Sequence, residues 1–483
     1  MRTLPFAVRS ALVTTLTAVG LTASLQAQPA SADDINALRE QIRLLDQKLR
    51  VLERNQELKE ETAAAAAKAQ PKITVGDGRV ELASADGANS LRLRGLVQGD
   101  ARFFFDKANA AQDQFLLRRA RLIFEGKFAD RFNYVVQPEF AGSSVSILDA
   151  NVGFTVTPSL SLLVGRFKTP VGLEQLQSDP VAFFNERSVA TNLAPNRDVG
   201  AQINGLLADK RLGYQVALTN GVIDGGNSPA DSTNLEGDFT VSGRLFATPF
   251  VNDKDSALKG LGFGIAAAAG NYDGTASSPL LNAYRTDGQQ TFFRYKSNST
   301  PTLANTAVAA GASYVVSPQA YFYSGPAGVL AEYFATSSEV SIGSGATRNA
   351  RTLKNSAYNL SAGYVLTGED AGFRGVTPKT NFNPSAGTWG AFEVVARLAY
   401  LDIDNDAFLV PAGGAISLAD PGASATAVTT YGLGLNWYLS RSVRVGVNLF
   451  QNDFKLAPGA APAAGTVLSD DETALITRFQ VSF

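Results

Sequence analysis

The sequence predicts an all-β protein, a transmembrane antiparallel β-barrel of about 16 strands preceded by a short α-helical coiled coil. Three observations lead to this prediction. Apolar and polar residues alternate with a period of two from about residue 91 to the C-terminus. Short and long connections alternate between these segments. The chain also begins with an export-like segment and contains no cysteine.

Residues 1–32 are typical of a secretory signal peptide. Arg2 and Arg9 supply positive charge, and an apolar stretch follows over residues 11–25. The sequence Ala30-Ser31-Ala32 fits a small-x-small cleavage site, with a cut after Ala27 as the alternative. A membrane anchor is the competing interpretation, but a spanning helix needs roughly 20 apolar residues. We therefore expect an exported protein.

Residues 33–62 are predicted to form a coiled-coil helix. Apolar residues recur at alternating spacings of three and four, the pattern of an oligomerisation seam. The seam residues are Ile35, Leu38, Ile42, Leu45, Leu49 and Leu52. So short a seam is marginal alone, so we expect it to act together with another oligomerising surface. The alternative is an amphipathic helix that lies on its own domain. Residues 63–90 are predicted to be a linker and pre-barrel segment.

The composition excludes several classes of protein. Apolar residues make up 45% and charged residues 18%, and mean hydropathy is -0.01. A barrel strand turns only alternate residues to lipid, which dilutes the hydropathy signal. The absence of Cys and His removes disulfides, Ser-His-Asp triads and the usual zinc sites. We expect no cofactor, no metal and no enzyme activity. The net charge of -2 argues against nucleic acid as a partner.

The barrel is predicted to span residues 91–483. Short connections are predicted at 129–131, 157–159, 208–210, 325–327 and 440–441. Long ones are predicted at about 168–197, 221–236, 271–310, 338–355, 403–427 and 455–471. Longish turns at 249–259 and 368–389 and a brief loop at 141–144 are exceptions. A count of about 16 strands, with 18 as the alternative, predicts a closed sheet around an aqueous lumen.

The last strand resembles the assembly signal of outer-membrane proteins. Phe479, Val481 and Phe483 lie on one face of this strand, and polar or charged residues alternate with them. Together with the predicted signal peptide, this strand indicates the outer membrane of a Gram-negative-type bacterium, with its lipid as a partner.

Several segments of the chain resemble the phosphate-selective porin O and P family. They are LRRAR at 117–121, VGRFKTP at 164–170, ERS at 186–188, NRDVG at 196–200, YVLTGE at 364–369, WGAFE at 389–393 and GLNWYL at 434–439. The resemblance covers roughly residues 90–483. It implies a homotrimer of 16-strand barrels, an inward third loop that narrows each pore, and lumen arginines and lysines that carry anions.

The candidate pore-lining and anion-binding residues come from strand parity and from the loop at about 168–197. They are Arg102, Arg119, Arg121, Asp149, Arg166, Lys168, Arg187, Arg197 and Arg397. The planar fork of arginine is suited to oxyanions. The loop acids Glu174, Asp179 and Glu186 could cancel the field of the loop bases. Alternation turns Arg118 towards lipid, which leaves its role doubtful. The competing interpretation is a ladder of cross-strand charge pairs.

The function expected is that of an outer-membrane porin, through which small hydrophilic solutes, above all anions such as phosphate, diffuse passively. The long loops are rich in Ala, Gly, Ser and Asn rather than Lys, which favours a general anion preference over phosphate specificity. One alternative is a general porin without anion preference. Another is a structural envelope protein that tethers the outer membrane to the cell wall through its helix. No apolar internal plug is evident, which argues against a fatty-acid transporter, and the fold of 271–310 stays open.

Overall fold

The computed structural model describes residues 31–76, 79–105, 112–222, 224–228, 238–457 and 470–483. Almost all of the predicted signal peptide lies outside the described residues. The chain divides into two units at Gln70 and Pro71.

The first unit contains one long helix, α1 (Ala32–Ala69). The Ser31 side chain caps it by accepting a hydrogen bond from the backbone N–H of Asp34. The helix continues seven residues past the predicted boundary at 62, because the alanine run has the highest helix propensity. The six seam residues are between 43% and 67% exposed on the single chain. None of the helices in the described part of the chain is both long and apolar enough to span a membrane.

The second unit is a closed barrel of sixteen antiparallel strands, which confirms the predicted fold class. Each barrel strand pairs with the next one, and the last pairs with the first to close the sheet. The barrel strands are β3 (Ser90–Phe104), β4 (Gln114–Phe128), β5 (Phe132–Glu139), β6 (Ser146–Thr157), β7 (Leu160–Lys168), β8 (Arg197–Leu207), β9 (Leu212–Thr219), β10 (Thr240–Ala247), β11 (Leu261–Asp273), β14 (Val308–Ser324), β15 (Ala327–Ile342), β17 (Ser356–Val365), β18 (Ala391–Asp402), β19 (Ala425–Tyr438), β20 (Val443–Leu456) and β21 (Asp471–Ser482).

Five short strands lie outside this ring. They are β1 (Lys72–Gly76), β2 (Arg79–Ala83), β12 (Tyr284–Arg285), β13 (Thr291–Phe293) and β16 (Asn349–Leu353). The hairpin of β1 and β2 pairs with the start of β3, so the segment predicted as a linker contains regular structure. β16 pairs with the end of β15, and β12 and β13 pair only with each other.

The two rims of the barrel differ as the sequence predicts. The rim at which β3 begins and β21 ends, here called the terminal rim, has mostly short turns, such as the one between β4 and β5. The opposite rim, here called the loop rim, has most of the long connections. Outward side chains such as Val97, Val164 and Phe479 are 45%, 60% and 53% exposed. An apolar outer face with polar residues turned inward is the pattern of a barrel in lipid.

Candidate functional site

The connection between β7 and β8, here called the inner loop (residues 169–196), lies inside the barrel. It contains a short helix, α2 (Leu173–Leu176), and two short 3-10 turns. The backbone N–H of Leu173 donates to Glu332 on β15 at 2.7 Å. The side chain of Asn185 donates to the carbonyl of Gly446 on β20 at 3.0 Å. The loop therefore reaches separate parts of the inner wall and narrows the lumen.

Glu186 on the inner loop is a hub for wall arginines. Its carboxylate is 3.0 Å from Arg102, 2.7 Å from Arg118 and 2.6 Å from Arg478. Arg119 lies farther away, at 3.8 Å. Burial alone would raise the pKa of Glu186, but the surrounding guanidinium groups hold it well below its usual range.

Asp179 is a second hub on the same loop. Its carboxylate is 3.4 Å from Arg119 and 2.6 Å from Arg187, and it also binds Arg121. Arg121 in turn pairs with Glu139 on β5 at 2.5 Å. Burial would raise the pKa of Asp179, but Arg119, Arg187 and Arg121 outweigh it and hold the pKa well below its usual range.

These ion pairs join into one network, here called the arginine network. Asp100 belongs to it because it binds Arg102 at 2.9 Å and Arg478 at 2.6 Å. Within the described part of the chain, the network holds six arginines and four carboxylates, an excess of two positive charges. The members are Arg102, Arg118, Arg119, Arg121, Arg187, Arg478, Asp100, Glu139, Asp179 and Glu186.

Two arginines of the network are more exposed to water than the carboxylates that they bind. The side chain of Arg118 is 27% exposed, whereas that of its partner Glu186 is only 3% exposed. Arg187 is likewise more exposed, at 17%, than its partner Asp179, at 8%. At these two positions, water in the lumen therefore meets a guanidinium group in front of a buried carboxylate.

The structure corrects the interpretation of Arg118. A β-bulge interrupts the pairing of β3 with β4, so that Gln98 faces Arg119 while Gly99 faces Leu117. Arg118 is the extra residue, and its guanidinium turns inward to make two hydrogen bonds with Glu186, at 2.7 and 3.0 Å. Strict alternation fails here because a bulge inserts one residue and re-aims its side chain.

The other predicted residues separate into paired and unpaired bases. Arg197 pairs with Asp149 at 3.0 Å. Lys168 instead donates to the backbone carbonyls of Gln175 and Gln177, at 2.7 and 3.1 Å. Arg166 donates to the backbone carbonyls of Leu148 and Ser228. Among the described residues, no carboxylate lies within ion-pair distance of Lys168 or Arg166.

Arg397 on β18 is shared by two acids. It pairs with Glu174 on the inner loop at 2.5 Å and with Asp287 at 2.6 Å. Asp287 belongs to the segment between β11 and β14, here called the second segment (residues 274–307). Burial, opposed by Arg397 and reinforced by Glu174, raises the pKa of Asp287 to about 7.

The second segment enters the barrel rather than standing above it. The backbone carbonyl of Gly288 accepts a hydrogen bond from Arg102 at 3.1 Å, and Tyr284, Phe292 and Phe293 are fully buried. Sequence reasoning missed Asp287. The adjacent aromatic residues Phe292 and Phe293 in a polar loop were the available signal that this segment is buried.

An apolar cluster fills part of the lumen, which the sequence did not predict. It joins Val189 and Leu193 of the inner loop to Phe292 and Phe293 of the second segment and to Phe334 on the wall. The expectation of a wholly aqueous lumen is therefore wrong for this side of the barrel. On the opposite wall, formed by β6, β7 and β8, inward residues remain partly exposed, among them Asn151, Leu163 and Asn204.

The family model for the phosphate-selective porins O and P matches residues 91–483. This chain belongs to that family. The porin therefore resides in the outer membrane, with its terminal rim on the periplasmic side, where barrels of this kind have their termini and short turns. No curated protein sequence matches this porin.

Solved porin structures resemble it at low sequence identity. The outer membrane channel DcaP of Acinetobacter baumannii is 13% identical, covering 82% of this chain and 98% of that chain, with a TM-score of 0.48. The anion-selective porin from Comamonas acidovorans is 13% identical, covering 82% and 100%, with a TM-score of 0.47. The trimer form of OmpT from Vibrio cholerae is 12% identical, covering 82% and 100%, with a TM-score of 0.48.

Proposed function

We propose that this porin lets small hydrophilic solutes diffuse across the outer membrane with a general preference for anions. One observation carries the proposal: the arginine network contains two more positive than negative groups, and its most exposed group is Arg118. Low-dielectric walls focus the field of such groups into the narrow part of a pore. Anions are therefore enriched there and cations depleted.

The chemistry of the network suits oxyanions without being specific to phosphate. A guanidinium group offers paired donors that match carboxylate, sulfate and phosphate alike. Lys168, the lysine next to the inner loop, already donates to two backbone carbonyls. Its ammonium group therefore has less capacity left for a passing ion. This favours a general anion pore over a phosphate-specific one.

We also propose a homotrimer that the helix α1 helps to hold together. The seam residues from Ile35 to Leu52 are exposed on the single chain, and a row of exposed apolar residues indicates a partner. Deletion of residues 33–61 should weaken the trimer on native gels while single-channel conductance persists. Loss of attachment to the cell wall, with the trimer intact, would instead favour the envelope tether.

The deciding experiment measures the reversal potential of single channels under a KCl gradient, for the wild type and Arg118→Gln. We expect anion selectivity in the wild type. One charge about 10 Å away in water is worth about 0.4 kcal/mol, which is roughly twofold for each ion and opposite in sign for the two, so the variant should lose roughly fourfold in its chloride-to-potassium permeability ratio. Glu186 keeps Arg102 and Arg478 in this variant. Arg131→Gln, in an exposed turn at the terminal rim, is the matched control.

Two outcomes would contradict the proposal. A neutral or cation-selective wild-type potential would show that the lumen charges compensate one another, as in a general porin. Block by phosphate at concentrations at which sulfate has no effect would show phosphate specificity instead of a general preference.

A further inference from the structure

The connection between β17 and β18, here called the strap (residues 366–390), is longer than every other connection at the terminal rim. A long periplasmic turn is unusual in barrels of this kind. The backbone N–H of Ala371 donates to the carbonyl of Gly325 in a neighbouring turn at 2.8 Å, which anchors the strap to the rim. From there residues 371–376 extend to the inner wall and the inner loop.

An aromatic stack attaches the strap to the inner wall. The ring of Phe373 is stacked on that of Tyr321, with centroids 5.2 Å apart and an interplanar angle of 22°. The ring centroid of Tyr321 lies 5.2 Å from that of Phe246 on β10. The guanidinium carbon of Arg244 lies over the Phe246 ring, 4.2 Å from its centroid. Contacts of this kind add to the energy of burying the rings themselves. The strap thus joins this stack through the side chain of Phe373.

The strap also touches the tip of the inner loop. The side-chain amide of Gln177 donates to the backbone carbonyl of Phe373 at 2.8 Å. Gly375 has a φ of +88°, and a Cβ atom there would lie 2.9 Å from the Cβ of Val181. Glycine therefore permits both the turn and the close approach. The two contacts flank Asp179, the second hub of the arginine network.

We propose that Phe373 is a positioning residue for the tip of the inner loop, residues 177–181. The stack with Tyr321 holds the strap, and the strap holds residues 177–181 through Gln177 and Val181. The position of Asp179, and with it Arg121 and Arg187, then depends on a turn that faces the periplasm.

The test compares the full-length wild-type porin with single-residue variants. It measures single-channel conductance and open-channel current noise for each. Phe373→Ala should raise conductance by roughly 1.5-fold or more and increase the noise, because the diameter at the narrowest point governs passage. Phe373→Tyr, which keeps the ring, should restore wild-type values. Phe382→Ala is the matched control, because this strap residue packs its ring on Trp389 of the same connection and on Trp437 of β19.

A second variant acts on the same contact from the other side. Gln177→Ala removes the hydrogen bond to the strap and should reproduce part of the effect. The double variant Gln177→Ala/Phe373→Ala should show less than the sum of the two, since both disrupt one contact. Wild-type conductance and noise in Phe373→Ala, or an equal effect in Phe382→Ala, would overturn the proposal. A neutral reversal potential would not, because these readouts report width and mobility rather than charge.

Discussion

The two segments that enter the barrel are held by different forces. The inner loop carries Asp179 and Glu186, which bind arginines of β3, β4 and β21. The second segment instead packs Tyr284, Phe292 and Phe293 into the apolar cluster. Among the residues that the structure describes, its ion pair with the wall is that of Asp287 with Arg397.

The two segments therefore have different roles: the inner loop positions charges, and the second segment closes part of the lumen. Apolar packing excludes water, so the second segment closes one side of the lumen and stabilises it by the burial of its rings. A buried ion-pair network returns little net stability, because desolvation of the charges offsets their attraction. It does fix where charges lie. The inner loop therefore determines the electrostatic field in the open part of the lumen. The second segment determines how large that open part is.

The largest loss of stability is expected when the ion pairs of the inner loop are broken. Glu186→Gln leaves Arg102, Arg118 and Arg478 without their shared buried counter-charge. Removal of one partner from such a pair typically costs about 3–5 kcal/mol. We expect a lower temperature of heat-induced unfolding and a noisier channel. The unfolding temperature is measured from the change in gel mobility between the folded and the unfolded barrel.

The control for this prediction is a carboxylate on the same wall, Glu125, whose side chain is 21% exposed, compared with 3% for Glu186. Glu125 pairs with Arg92 and Arg94, whose side chains are 35% and 41% exposed. Glu125→Gln should change the unfolding free energy by less than about 1 kcal/mol. Equal effects of the two variants would mean that burial of the inner-loop network has no energetic consequence.

Much of the barrel could be predicted from the sequence, because lipid on one face and water on the other impose strict alternation. The strand that ends at Phe104 and the strand that ends at Ser482 both show it. The same rule failed at Arg118, since a bulge depends on pairing with the neighbouring strand and leaves no periodic trace. Charge-bearing residues of the inner loop were found by type, but their partners were not: Glu186 binds wall arginines across the lumen.

The second segment was harder to predict for a related reason. Its contacts join residues far apart in sequence, such as Arg397 with Asp287 and Tyr295 with Ala419. No local period marks a loop that folds back into a barrel. Its adjacent aromatic residues indicate burial but not the surface against which they pack.

The next largest loss of stability is expected when the apolar packing of the second segment is disturbed. Phe293 is fully buried and lies within 5.2 Å of Tyr284 and 4.9 Å of Tyr295, measured between ring centroids. Phe293→Leu should lower stability by about 1–2 kcal/mol through lost contacts and a small cavity. Thermal unfolding would measure this loss, and the reversal potential should stay at its wild-type value. A changed selectivity would show that the second segment also shapes the field.

The smallest effect concerns Asp287, where the two kinds of packing meet. Its pKa is raised to about 7 by burial. Above pH 7 it is a carboxylate that shares Arg397 with Glu174, and below pH 7 it is neutral. The lumen then gains one positive charge, so anion selectivity should rise as pH falls from 8 to 6. Stability follows the same sign: the folded state holds this proton more tightly than the unfolded state, so stability falls as pH rises from about 4 to about 7.

Reversal potentials between pH 6 and 8 test this titration. Asp287→Asn should remove the step near pH 7 and resemble the wild type at pH 6. Asp224, whose pKa burial raises to about 6 despite a hydrogen bond from Tyr284, supplies the control. Asp224→Asn should leave the step near pH 7 in place, because Asp224 does not bind Arg397. A wild-type step that persists in Asp287→Asn would assign the titration to another group and leave Arg397 paired with Glu174 at every pH in this range.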